Sequence, residues 1–211
     1  MSHPPTRCCL PRAPSPSSLT EQRWKLARIT YPAIIVVAGA VIAPIMLPIL
    51  PAETYIRYQK ALGYPPPEFE HQRNGRLPQY FAEEFGWEDV ARQTAIAFHR
   101  LSPEDQAKTV IFANNYGEAA AINFFGPRYG LPKAISVHQN YWLWGPDHAS
   151  GDVVLVLGSD GAGDRDHFRS VEAAGRVDHP YSRLDEHYTI WLCRGLTFDL
   201  HEMWPHLKKW S

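Results

Sequence analysis

The sequence predicts an α/β fold: a small, mostly parallel sheet flanked by helices and preceded by one transmembrane helix. Three observations predict it. No residue from Ile29 to Leu50 is charged, and a helix needs only about 20 such residues to cross a bilayer core. From Thr109 onward, short apolar runs alternate with helical patterns, as in parallel strand–helix units. Seven Trp, ten Tyr and nine Phe supply the large side chains for a packed core beyond the span.

Taken in order, residues 1–22 are rich in Pro and Ser without apolar periodicity, which predicts a disordered segment. Residues 23–51 form the predicted span. Pro32, Pro44 and Pro48 fall in it, and prolines are tolerated in a membrane helix when neighbouring helices satisfy the freed carbonyls. Other transmembrane helices are therefore expected partners, together with the bilayer itself. Arg23, Lys25 and Arg28 precede the run, and Trp24 suits the interface. The positive-inside rule then puts this end in the cytoplasm, with the C-terminal domain periplasmic or exterior, single-pass in the inner membrane.

Residues 52–76 read as a juxtamembrane helix and linker, and 77–211 as an α/β domain. Within it Trp87, Val90, Ala91, Thr94, Ala95 and Phe98 fall at helical spacing. "TVIFAN", "KAISV", "VVLVLG" and "HYTIWLCRG" read as strands, with helices at "GEAAAINFF", from about Asp164, and over "DLHEMWPHLKKW".

A net charge of −1 leaves no basic footprint for nucleic acid. The three cysteines have no metal-ligand spacing; Cys8 and Cys9 are adjacent, and Cys193 lies in an apolar run. "GSDGAGD" is neither a dinucleotide-binding nor a Walker A loop, no G-x-S-x-G elbow occurs, and "HEMWPH" lacks zincin spacing. No catalytic residue, metal ligand or cofactor is assigned.

Ligands of open parallel sheets bind at the carboxyl ends of the strands. Three polar loops follow strands there: "NNYGE" (114–118), "HQNYWLWG" (138–145) and "GSDGAGD" (158–164). Asn115 and Glu118 are spaced as a capping box, and Gly117 permits a close backbone approach. His138, Gln139 and Asn140 are followed by Tyr141, Trp142 and Trp144. Amide groups beside aromatic faces suit a sugar ring, which has an apolar face and hydroxyls at its edge. The candidate ligand-binding residues are Asn114, Asn115, Tyr116, Glu118, His138, Asn140, Tyr141 and Trp142.

The stretches "LPQYFAEEFGWEDVA" (77–91), "IFANNYGEAAAINFFGPRYGLPKAISVHQNYWLWGP" (111–146), "AGRVDHPYSRLDEHYTIWLCRG" (174–195) and "WPHLKKW" together carry a resemblance. Residues 29–211 resemble the last transmembrane helix and soluble C-terminal region of bacterial family 39 membrane glycosyltransferases, the dolichyl-phosphate-mannose protein mannosyltransferase-like group. The resemblance implies transfer of a sugar from a polyprenyl-phosphate carrier to an acceptor at the outer face of the membrane. It also implies a preceding multi-helix domain whose early loop holds the catalytic aspartate. The chain has no such loop, so it is expected to be a fragment that lacks the catalytic domain. The alternative expectation is a stand-alone membrane-anchored domain that binds sugar or protein without chemistry.

Overall fold

In the computed structural model, residues 16–64 and 75–210 are described. They fall into two compact units that divide after Tyr55. In the first unit, helix α1 spans Pro16–Met46. The part of the expected disordered segment from 16 to 22 is therefore helical, as a backward continuation of the span's helix; residues 1–15 lie outside the described residues. The stretch Arg23–Met46 contains an 18-residue window with a mean hydropathy of 2.1, and that window is almost wholly exposed. At 1.5 Å per residue the stretch's 24 residues reach about 36 Å, enough to cross a hydrocarbon core of about 30 Å.

Pro32 and Pro44 lie inside α1, whereas Pro48 follows its end. Thr30 Oγ1 donates to the Leu26 carbonyl at 3.0 Å. At the C-terminus, Ile49 N–H bonds Leu47 rather than continuing the ladder. The Ile45 carbonyl instead accepts from the hydroxyl of buried Tyr55 at 3.3 Å. A side chain thus satisfies one of the carbonyls that every helix end leaves open. Tyr55 belongs to α2 (Ala52–Ala61), the predicted juxtamembrane helix; most of the linker predicted after it (65–74) lies outside the described residues.

The second unit is built on a five-stranded sheet: β1 Thr109–Ala113, β2 Ala134–Ile135, β3 Val153–Leu157, β4 Phe168–Val177 and β5 Tyr188–Leu196. The strand order is β2-β1-β3-β5-β4. β1 pairs in parallel with both β2 and β3, while β5 runs antiparallel to β3 and β4. The sheet is therefore mixed, which corrects the expectation of a mostly parallel one. The cause lies after β3. The helix expected from Asp164 is a single turn, α7 (Asp164–His167), and Asp164 is not its N-cap. Without a crossover helix, β4 and β5 form an antiparallel pair, and β5 returns beside β3 in the reverse direction.

Helices α4 (Trp87–His99) and α6 (Tyr116–Phe125) cover one face of the sheet. The apolar face of α4 is the predicted one: Val90, Ala91, Thr94, Ala95 and Phe98 are buried. Its alanines, and those of α6, let the helices approach the strands closely. Strand alternation divides β1. Ile111 and Ala113 enter this core, whereas Val110 and Phe112 face the opposite side with Val154 and Val156 of β3. The opposite side is covered by α8 (Leu200–Met203), the following 3-10 turn Trp204–His206, and neighbouring loops. The predicted C-terminal helix is thus short, because Pro205 cannot donate to the ladder beyond Trp204. Short helices α3 (Gln79–Ala82) and α5 (Pro103–Lys108) complete the unit. Arg194 of β5 ties to Asp105 of α5 at 2.9 Å.

Candidate functional site

Because β1, β2 and β3 are mutually parallel, the three polar loops that follow them share one edge of the sheet. Asn114 joins two of these loops by donating from Nδ2 to the Gly158 carbonyl at 2.9 Å. Asn115 caps α6 by accepting from Glu118 N–H at 3.0 Å, and Glu118 Oε2 accepts from Asn115 N–H at 3.1 Å. This is the predicted capping box. Gly117 is where a close approach is needed: a Cβ there would lie 2.9 Å from the Trp87 ring, so α6 begins against the start of α4.

Glu118 is only 1% exposed. Its carboxylate packs on Gly158, where φ is +70° and an added Cβ would fall 2.1 Å from Oε1. Burial foremost, and then the nearby Glu186 carboxylate, push the Glu118 pKa up to about 8, against the lowering effect of the Asn115 and Asn114 amides. Burial likewise raises Glu186 and raises Tyr188 well above its ordinary value. Tyr188 begins β5 at the same edge, and its hydroxyl and Glu186 Oε2 are buried with no hydrogen-bond partner among the described residues. Sequence reading placed Glu118 at the edge but not its neighbours Glu186 and Tyr188, which lie some seventy residues away and arrive only through the antiparallel β3–β5 pairing.

His138 joins the second loop to the first. Tyr116 N–H donates to its Nδ1 at 3.3 Å, and the two rings stack at 5.2 Å. Nδ1 is thus an acceptor, which leaves the ring proton on Nε2. Burial first, then the Lys209 ammonium, lower the His138 pKa and favour this neutral form. Tyr116 stays half exposed on the outside of the pair.

Residues Gln139–Trp144 form a 3-10 turn. Its side chains divide in two directions. Trp142 faces inward, where its indole N–H donates to the Trp204 carbonyl at 2.8 Å, and the Trp204 indole N–H returns a bond to the Trp142 carbonyl at 2.9 Å. This reciprocal clamp engages the indole N–H and the carbonyl of Trp142, one of the expected ligand contacts, in packing against Trp204. Asn140 is exposed. Tyr141 and Trp144, three residues apart, meet edge to face at 4.3 Å on the outer side. Side chains at i and i+3 eclipse in a 3-10 helix, which is why these two share a face.

Tyr141 and Trp144 wall a recess of about 400 Å³ beside β2, together with Asn123, Lys133 and Asp147. Asn123 ties α6 to β2 through Ala134 N–H at 2.8 Å and lies 3.4 Å from the Tyr141 hydroxyl. Trp144 is 69% exposed, so its indole presents a broad apolar surface to solvent. Sequence reading grouped Trp144 with Tyr141 and Trp142 but did not single out Asn123, Lys133 or Asp147, which line the recess; the signal available was the i, i+3 spacing of Tyr141 and Trp144.

A second recess of about 430 Å³ lies at the carboxyl edge between β1 and β3, lined by Asn114, Ser159, Asp160 and Asp164. Its polar groups are largely satisfied within "GSDGAGD". Ser159 Oγ donates to Asp164 at 2.6 Å, and Asp160 accepts from Ala162 N–H at 2.9 Å. In the loop between β4 and β5, His187 bridges Asp178 at 3.2 Å and the His179 carbonyl at 2.9 Å. Among the described residues no group of three or more His, Cys, Asp or Glu is placed to hold a metal ion.

Comparison of the chain with protein-family profiles, with curated proteins and with solved structures gives no match.

Proposed function

We propose that this chain is the membrane-anchored, sugar-recognising C-terminal module of a glycosyltransferase that takes a sugar from a polyprenyl-phosphate donor. In this reading α1 crosses the inner membrane and the second unit lies on the periplasmic side. The observation that carries it is the recess beside β2. An exposed indole inclined at 66° to a phenol, rimmed by an amide, an ammonium and a carboxylate, offers stacking for a sugar's apolar face and hydrogen bonds for its hydroxyls. The resemblance of the quoted motifs to family 39 glycosyltransferases and the apolar, proline-containing helix α1 support the same reading. In this reading the second unit binds and orients the sugar.

The test is a titration of the full chain in nanodiscs with mannose, glucose and a polyprenyl-phosphate sugar, followed by saturation-transfer NMR. Saturable contact at millimolar sugar, lost in Trp144→Ala, is expected. Equal signals in the wild type and Trp144→Ala would remove the recess from the reading. A stand-alone anchored sugar-binding domain would bind free sugars without preferring the polyprenyl-linked form.

A further inference from the structure

The face of the sheet turned away from α4 and α6 is incompletely filled. Between it and the C-terminal segment lies a cavity of about 280 Å³. Val110, Val154 and Val156 form its floor, and Phe198 and Leu200 its roof. Two titratable side chains enter the lining. Asp164 is engaged by Ser159, and exposed His167 sits at the rim, its ring edge against Phe198. Exposed Met203 also borders the cavity. Nothing inside offers the two to four polar partners that would hold ordered water.

We propose that this cavity binds the hydrocarbon tail of a lipid. Three observations select that occupant. Apart from Asp164, engaged by Ser159, and His167 at the rim, the lining is aliphatic and aromatic, so the enclosed part of the ligand is apolar. The volume is roughly twice that of an apolar cavity of about 150 Å³ that takes up benzene, giving room for on the order of ten carbon atoms. The same chain carries a 24-residue helix of the length and composition to enter a bilayer; resting on the reading above that this helix crosses a membrane, lipid tails are the abundant apolar molecules in its surroundings. Methylene groups inside would regain dispersion contacts that the strand side chains lack on this face. The flexible thioether of Met203 at the rim suits entry of a chain end. The site is separate from the recess beside β2 and stands or falls independently of it.

The experiment uses the full chain in nanodiscs and a dodecanoic acid bearing a diazirine near its methyl end. After irradiation, adducts are mapped by peptide mass spectrometry. Saturable adducts are expected in 196–207 and 153–157, displaced by unlabelled dodecanoic acid, alongside background adducts in 23–46. Val156→Phe, which fills the floor, should reduce the cavity adducts about tenfold and leave those in 23–46 unchanged. Ala149→Leu, at a second lining position, gives the same readout should Val156→Phe lose its near-ultraviolet circular dichroism. Adducts confined to 23–46, adducts that dodecanoic acid does not displace, or unchanged labelling in a folded filled variant would each overturn the proposal.

Discussion

Replacing Glu118 by Gln tests whether a buried, protonated carboxyl underlies the stability of the second unit. Glu118 is raised from an ordinary 4.5 to about 8 by burial and by Glu186. Between these values the folded state holds a proton that the unfolded state has released. Stability from this group is thus complete below about pH 4.5 and declines as pH rises through 8. His138 is shifted the other way, and its contribution grows with pH only up to its unfolded value near 6.5. Asp105, lowered chiefly by its bond to Arg194, changes only in acid. Glu186, also raised by burial, acts in the same direction as Glu118; from pH 6.5 to 8 the Glu118 contribution to the wild type's loss should be about 1.5 kcal/mol. Gln keeps the amide oxygen that accepts from Asn115 N–H and preserves the cap, but has no proton to lose. Urea unfolding of the detergent-solubilised chain, followed by tryptophan fluorescence, reads this directly, because six of the seven tryptophans lie in the second unit. The variant should lose less than half as much stability over the same interval. Parallel pH curves for the wild type and Glu118→Gln would refute the assignment of the buried proton to this carboxyl.

Other outcomes follow from single contacts. Trp142→Ala breaks the reciprocal clamp with Trp204 and should cost about 3 kcal/mol in urea unfolding, whereas exposed Trp144→Ala should change stability by less than about 0.5 kcal/mol. Gly158→Ala combines a positive φ with a clash against the Glu118 carboxylate and should cost at least about 3 kcal/mol; a thermal midpoint equal to that of the wild type would contradict the close packing. Asn115→Ala removes one half of the capping box and should cost about 1 kcal/mol. Burial pushes the Cys193 thiol up to about 12, so iodoacetamide at pH 8 should modify it only in denaturant, as peptide mass spectrometry would show.

The local features of this protein were legible in its sequence because local chemistry specifies them. The apolar run around α1, the periodicity of α4, the Asn115–Glu118 box and the continuous apolar run of β3 each depend on residues close together in the chain. The direction of β5 was not legible. Ala173, Ala174 and Glu172 favour a helix locally, yet they lie in edge strand β4, where pairing with β5 overrides propensity. The site divides the same way. Asn114, Asn115, Tyr116, Glu118 and His138 gather where strand order predicted, since β1, β2 and β3 are parallel. That Trp142 turns inward and Trp144 outward was not legible, because only the 3-10 geometry of 139–144 decides it.

The sequence by itself thus determined a lipid-compatible helix, a strand–helix core and a polar loop cluster, all properties of neighbouring residues. Tertiary structure alone decided that Glu118 meets Glu186 and Tyr188, that an aromatic recess opens beside β2, and that an apolar cavity remains on the opposite face. Each depends on segments far apart in the chain being brought together by sheet pairing, and no local pattern encodes such distances.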